Sequence, residues 1–375
     1  MQILFHRQIN EIAESQWNAL VVDNNPFLRH EFLDALETHH CVSEKFGWIP
    51  CHIAIYEDQA LIGAMPLYEK HNSYGEFVFD HTWADAYHRN GLQYFPKLVS
   101  AIPYTPATGQ RLLAIKERQQ EIFTLLLKTA LQLCEQKGYS GFHCLFPESK
   151  QQIWLAQQNL LTRHDCQFHW HNHNYRDFEH FLSALTAKKR KNIRQERRRV
   201  EQAKITLRRL NGHTATEKDW QDFTRFYNQT FAEKNGIATL NYGFFHQVAK
   251  KLPKQILLVL ADTKAGECIA GSLMFISDTT LYGRHWGAIQ SIDKLHFEAC
   301  YYQGIEYCIQ QGLQHFEPGA QGEHKIARGF LPTLTKSSHW LNNSPFQIAI
   351  EQVIQYEKNA VQDYMQHLKS PYKEP

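Results

Sequence analysis

A chain of 375 residues is longer than one core ordinarily serves, so two domains of about 150–200 residues are expected. With 43% apolar, 21% charged and 13% aromatic residues it can bury an ordinary core, which excludes extended disorder. Forty basic and thirty-eight acidic side chains leave a net charge of +2, which excludes a surface that is basic throughout but leaves room for a local basic patch.

The segment MQILFHRQIN lacks the basic, apolar and small-residue regions of a signal peptide, and no run of about 18 apolar residues is present to span a bilayer. A cytoplasmic protein without integral membrane association is expected. Eight cysteines with neither a CxxC pair nor a framework spacing read as reduced, mostly buried thiols.

Residues 27–40 read as a short helix. The stretch HIAIYEDQALIGAMPLYEK places two apolar runs around Glu57-Asp58-Gln59, the pattern of a β-hairpin. GEFVFDHTWADAY continues as a third strand through Phe77 and Phe79 into an aromatic loop. A helix over 121–137 follows, with Ile122, Leu125, Leu126, Thr129 and Leu133 at helical spacing; it ends at Gly138 before the strand Phe142–Phe146. From Gln255 the same order returns: ILLVLAD, a turn at 263–267, CIAGSLMFI, a turn at Ser277-Asp278, then TLYGRHWG. The next helix starts at Ser291 or Asp293, carries Phe297, Tyr301, Ile305, Cys308 and Ile309, and stops at Gly312 before a strand at His315–Glu317.

Strand, strand, strand, helix, strand therefore occurs twice. IGAMPLY matches IAGSLMF, Trp83-Ala84 matches Trp286-Gly287, and CEQKG matches CIQQG, so the chain reads as a duplication with halves 1–173 and 174–375. At the start of the second half, residues 178–203 read as one long helix whose apolar stripe is Phe178, Phe181, Leu182, Leu185, Ile193 and Val200. Residues 188–199 hold eight basic side chains and one acidic one, Glu196. This is either a solvated face or an electrostatic site for phosphate on a nucleotide, a lipid head group or RNA.

GEFVFDHTWADAY, YFPKLVSAIPYTPATGQRLL, FHWHNHNY, AKKRKNIRQERR, LYGRHWG and LHFEACYYQGIEYCIQQGLQHFEPGAQGEHKIARGF together resemble the FemAB-like N-acyltransferases, over nearly the whole chain. The resemblance implies an α/β chain of the α+β type: tandem GNAT-like domains, each a mixed, mostly antiparallel sheet flanked by helices. It also implies transfer of an acyl or aminoacyl group from an activated donor to a small-molecule or peptide amine. Such chemistry needs a base for the amine, donors for the oxyanion and amides for a donor's phosphates. After TLYGRHWG, Arg284, Gly287 and Ala288 lead only to Ile289, Gln290 and Ser291, an incomplete glycine-rich loop. Acyl-CoA and aminoacyl-tRNA both stay open as donor, with tRNA a possible partner.

In HFEPGAQGEHKIARGF, Glu323 or His324 is expected to relay the amine proton, while Lys325 and Arg328 hold a phosphate or the oxyanion. In a GNAT-like fold His296 and Glu298 lie beside this strand, and Arg284 and His285 sit on the preceding one, so all can line one cleft. Asp80, Trp83 and Arg111, in aromatic and proline-rich text, are the candidates for an acceptor pocket. His169, His171 and His173 alternate as zinc ligands on a strand could, but solvated imidazoles at a strand edge fit the pattern better, and no metal site is expected. The rival functions are an aminoacyl-tRNA-dependent peptidyl-type transferase and a non-catalytic nucleic-acid-binding module built on the basic helix.

Overall fold

A computed structural model describes residues 1–342 and 345–373. The chain begins with β1 (Gln2–His6), α1 (Glu14–Ala19), α2 (His30–Thr38), β2 (Trp48–Pro50), β3 (His52–Glu57), β4 (Ala60–Met65) and β5 (Tyr68–Lys70). It continues through α3 (His81–Arg89), β6 (Lys97–Ser100), β7 (Leu113–Ala114), α4 (Gln119–Lys137), β8 (Gly141–Leu145), α5 (Ser149–Gln157) and β9 (Leu161–His171). Next come α6 (Phe178–Ala184), α7 (Ala187–Gln202), β10 (Thr206–Leu210), α8 (Glu217–Glu233), α9 (Tyr242–Lys251), β11 (Ile256–Asp262), β12 (Cys268–Ile276) and β13 (Thr280–Ala288). The last elements are α10 (Leu295–Phe297), α11 (Gln303–Gln311), β14 (His315–Glu317), β15 (Leu331–Leu341) and α12 (Gln347–His367).

Two compact units result: Met1–Cys166 with Leu334–Gln366, and Gln167–Thr333 with His367–Pro375. Where the sequence reading divides the chain once, at 173/174, the boundaries here fall inside β9 and inside β15, and the first unit takes back residues 334–366.

The units share one plan down to single residues. In the first, β1, β3 and β4 are antiparallel neighbours, and in the second so are β10, β11 and β12. Tyr56 pairs with Leu61 and Ile55 with Gly63, leaving Ile62 as the extra residue of a bulge. Asp262 pairs with Cys268 and Ala261 with Ala270, leaving Ile269 in the same place. Thus IGAMPLY and IAGSLMF match in register as well as in letters. The CEQKG and CIQQG matches hold too: α4 and α11 each bury a cysteine, Cys134 or Cys308, and end at a glycine with φ near +70°, Gly138 or Gly312. Tyr139 N–H donates to the Cys134 carbonyl and Leu313 N–H to the Cys308 carbonyl, both at 2.9 Å. Each helix leads into a strand, β8 or β14, that runs parallel to a strand earlier in the chain, β6 (with β7 between it and the helix) or β13. Each unit is therefore built of mostly antiparallel strands with helices, those of the first unit falling in two sheets, β1-β3-β4-β7 and β15-β8-β6-β5-β2.

Three readings need correction. Residues 76–79 form no strand; Phe77 has φ of +59°, and the turn brings buried Glu76 and Asp80 onto Lys97, which outweighs the alternating pattern. The Trp83-Ala84 match fails, because Trp83 lies on α3 and Trp286 on β13. Residues 178–203 are two helices. Leu185 and Thr186 are extended because residues 371–373 pair with them: Thr186 N–H donates to the Pro371 carbonyl and Lys373 N–H to that of Ala184, both at 3.0 Å.

Candidate functional site

The second unit offers a place where a sheet opens. β13 and β14 pair in parallel only from Thr280 with His315 to Tyr282 with Glu317. Beyond that, β14 ends and the chain turns through Gly319 and Gly322 into a 3-10 helix at Glu323–Arg328; Gly322 has φ of +118°, which a side chain would strain. β13 runs on against β12. There Leu273 faces His285 and Met274 faces Gly283, so Arg284 is the extra residue of a bulge, a device that re-aims a side chain beside a site.

Lys325 is 3% exposed and its Nζ donates to the Gly319 carbonyl at 2.8 Å. Burial pulls its pKa down to about 8; the Cys300 thiol opposes this and the Arg284 charge adds to it. Arg284 is itself brought to about 10 by burial, against the attraction of Glu317. His296 falls to about 4 through burial and the nearby His324, Arg328 and Lys325, so it is a neutral imidazole at pH 7. Its ring meets the edge of Trp286 at 5.4 Å. His324 Nε2 lies 2.9 Å from the Tyr301 hydroxyl, and its pKa is lowered by burial and by Arg328 and Lys325.

Arg328 anchors this group. Its guanidinium lies 3.4 Å from the Phe297 ring centre, donates to the His324 carbonyl at 2.7 Å and reaches Glu196 on α7 at 2.6 Å. The Tyr302 hydroxyl donates to the other Glu196 oxygen. Tyr301 and Tyr302 come from a π-helical turn at Glu298–Tyr302, a distortion common at functional sites. The structure thus gathers Arg284, His296, Lys325 and Arg328, the last two buried, with exposed His324 beside them, a cationic setting suited to developing negative charge.

Other predicted residues stand apart. Glu298 is 4% exposed and bonded to Arg197 by both oxygens at 3.1 Å, and it accepts from Gln303 at 2.8 Å, so it fastens α7. His285 packs on Tyr227 and Phe245, and burial holds its pKa well below the usual range. Glu323 is exposed. His169 is buried beside Gln167, His171 sits 3.0 Å from the His315 ring, and His173 lies past the end of β9.

In the first unit Asp80 accepts from Lys97, Tyr94 and Ser73. Trp83 is buried against His339 beneath the Arg163 guanidinium. Arg111 is 1% exposed and donates to the carbonyls of Leu145, Gln110 and Ala107 at 2.7–2.8 Å, pinning the loop before it. A cavity of about 270 Å³ in this unit is lined by Phe79, Arg163, Ser337, Tyr356 and Glu357 among others, without Asp80, Trp83 or Arg111. Sequence reasoning missed Glu196, Phe297, Tyr301 and Tyr302 as members of the second unit's site; the one signal was that Glu196 is the sole acid in the basic run.

The FemAB-like family, described as peptidoglycan biosynthesis/recognition, matches residues 8–374. The chain belongs to the FemAB-like family. No curated protein matches it by sequence. Among solved structures, FemX is 11% identical with a TM-score of 0.55 and covers 94% of this chain and 100% of its own. The C-terminal domain of a putative lysylphosphatidylglycerol synthetase from Agrobacterium fabrum is 7% identical at TM-score 0.54, covering 92% and 96%. L-PGS from Bacillus licheniformis is 10% identical at 0.50, covering 82% and 88%. At such identities the likeness is one of fold. Family membership makes this FemAB-like chain a transferase. Among its described residues, no helix is long and apolar enough to cross a membrane.

Proposed function

We propose that this protein transfers an acyl or aminoacyl group from an activated ester or thioester donor to an amine, with the chemistry in the second unit. The observation that carries the reading is Lys325: a buried lysine with no ion pair among the described residues, held by one carbonyl beside a second cation. Burying a charge without a counter-ion is costly, and such groups cluster where charge must be met during reaction.

In this mechanism the amine nitrogen attacks the donor's carbonyl carbon, the C=O electron pair moves onto oxygen, and the ester or thioester bond breaks when it returns. The Lys325 ammonium stabilises the oxyanion. With a pKa near 8 it also supplies a proton to the departing oxygen or sulfur at neutral pH. His324, neutral and hydrogen-bonded to Tyr301, is placed to take the proton of the attacking amine. Names that refer to lysylphosphatidylglycerol synthesis among the fold neighbours support aminoacyl groups as cargo.

The test offers the protein a lysine-bearing peptide together with a panel of acyl-CoA thioesters or a mixed pool of aminoacyl-tRNA, and reads new amide by mass. Amide from one donor class, lost in Lys325→Met, supports the reading. No amide from any donor, or an equally active Lys325→Met variant, contradicts it.

A further inference from the structure

The cavity of the first unit has a polar end that the chemistry of the second unit does not use. Alternate residues of β15, Ser337, His339 and Leu341, point to one face of the sheet. Leu341 packs there with Trp83 and Tyr87 of α3 and with Ile350 and Ile354 of α12. One to two turns further along α12, Tyr356, Glu357 and Ala360 reach the other end of that row. The cavity of about 270 Å³ opens between them, Phe79, Arg163 and Ser337. Phe79 and Tyr356 are exposed, so its rim is aromatic.

The opposite face of β8 is filled by Phe142 and Cys144, as a core should be. On this face three polar side chains adjoin instead: Ser337, His339 and His143 are 3%, 0% and 1% exposed. Ser337 Oγ lies 2.8 Å from His339 Nε2. His339 Nδ1 lies 2.6 Å from Nδ1 of His143, its cross-strand partner. With its proton on Nδ1, His339 donates to His143 and turns a lone pair toward the Ser337 hydroxyl, which donates to it. His143 Nε2 has no partner among the described residues, so nothing behind the pair opposes that arrangement.

Burial, helped by neighbouring cations that include Arg163, keeps both imidazoles well below their usual pKa, so both are neutral at pH 7. A neutral ring has the lone pair a base needs, but a weakly basic one serves only an acyl group with a good leaving group. A hydroxyl drawn to an imidazole at a cavity wall is the arrangement of an activated nucleophile.

We infer that Ser337, with His339 as its base, takes an acyl group from an activated ester or thioester that enters this cavity. The Ser337 proton passes to His339 Nε2 as Oγ bonds to the acyl carbon and the C=O pair moves onto oxygen. When the pair returns, the bond to the leaving oxygen or sulfur breaks, the leaving group takes the proton from His339, and acyl-Ser337 remains. Water, giving a proton to the same nitrogen, then releases the carboxylic acid, and that proton returns to Oγ. The site shares no residue with that of the second unit.

The experiment treats the full chain with an alkyl fluorophosphonate, which joins its phosphorus to an activated serine oxygen and releases fluoride, and maps the adduct by mass spectrometry of peptides. Nitrophenolate release from 4-nitrophenyl butyrate is followed in parallel. The adduct is expected on Ser337, and ester turnover should fall about 10²-fold in Ser337→Ala and in His339→Phe. Should either variant lose its fold, the adduct mapped on the wild type decides. No adduct, an adduct confined to another residue, or a folded Ser337→Ala variant that releases nitrophenolate at the wild-type rate overturns the inference.

Discussion

Two buried lysines, Lys97 in the first unit and Lys325 in the second, are 0% and 3% exposed and differ in everything else. Lys97 donates to Glu76 at 2.9 Å and to Asp80. Burial disfavours its charge, but the two carboxylates outweigh that and hold its pKa above the usual lysine range. Asp80 is held well below the carboxylate range despite its burial, chiefly by Lys97, while burial pushes Glu76 up to about 7. Lys325 has a carbonyl for a partner and Arg284 for a neighbour, and its pKa drops to about 8. A buried cation matched by acids is part of the scaffold, whereas Lys325, set beside another cation, is the group proposed to act in the transfer.

The largest expected effect breaks the scaffold side of this contrast. Lys97→Met strands Asp80 and Glu76 in the core and should cost about 3–5 kcal/mol, read by urea unfolding. Lys325→Met strands no carboxylate and removes a buried charge that has no counter-ion, so at pH 7 it should be no less stable than wild type, while single-turnover transfer falls by about 10²-fold. A loss of stability equal to that of Lys97→Met would erase the distinction.

A third effect sharpens it. Between pH 8 and 10.5 the unfolded chain keeps the Lys325 proton that the folded chain has released, so stability from this group rises with pH across that window. Lys70, brought by burial to about 7, adds a rise of the same sign from pH 7 upward. The wild-type curve minus that of Lys325→Met isolates Lys325; unfolding followed from pH 7.5 to 10 should show a rising difference, and a flat one would contradict the assigned environment. The smallest effect belongs to the solvated exterior: Arg198→Ala should change stability by less than about 0.5 kcal/mol in the same unfolding assay.

What was legible in the sequence follows the range of the forces involved. The bulged hairpins around Ile62 and Ile269 and the glycine ends of α4 and α11 obey local rules, so seven-letter and five-letter matches were enough to find them. Phe77 and Phe79 looked like a strand because nothing local announces Lys97, some twenty residues on, as the partner of Glu76 and Asp80. The break before α7 is set by residues 371–373, which no window around Leu185 contains. Within the site, the glycine-flanked stretch from His324 to Arg328 was readable from its ionisable groups. That Glu298 bonds Arg197 was not legible, because the two are 101 residues apart. The π turn that presents Tyr301 and Tyr302 has no signature in the apolar stripe it interrupts.

The central claim is that Lys325 acts as a buried cation, and the pH dependence of single-turnover transfer tests it most directly. With donor bound and amine saturating, the wild-type rate should fall as pH rises past about 8, where Lys325 loses its proton. Lys325→Arg, which stays charged, should retain measurable transfer and lack that fall up to pH 10. A wild-type rate that keeps rising to pH 10, or the same fall in Lys325→Arg, would contradict the account.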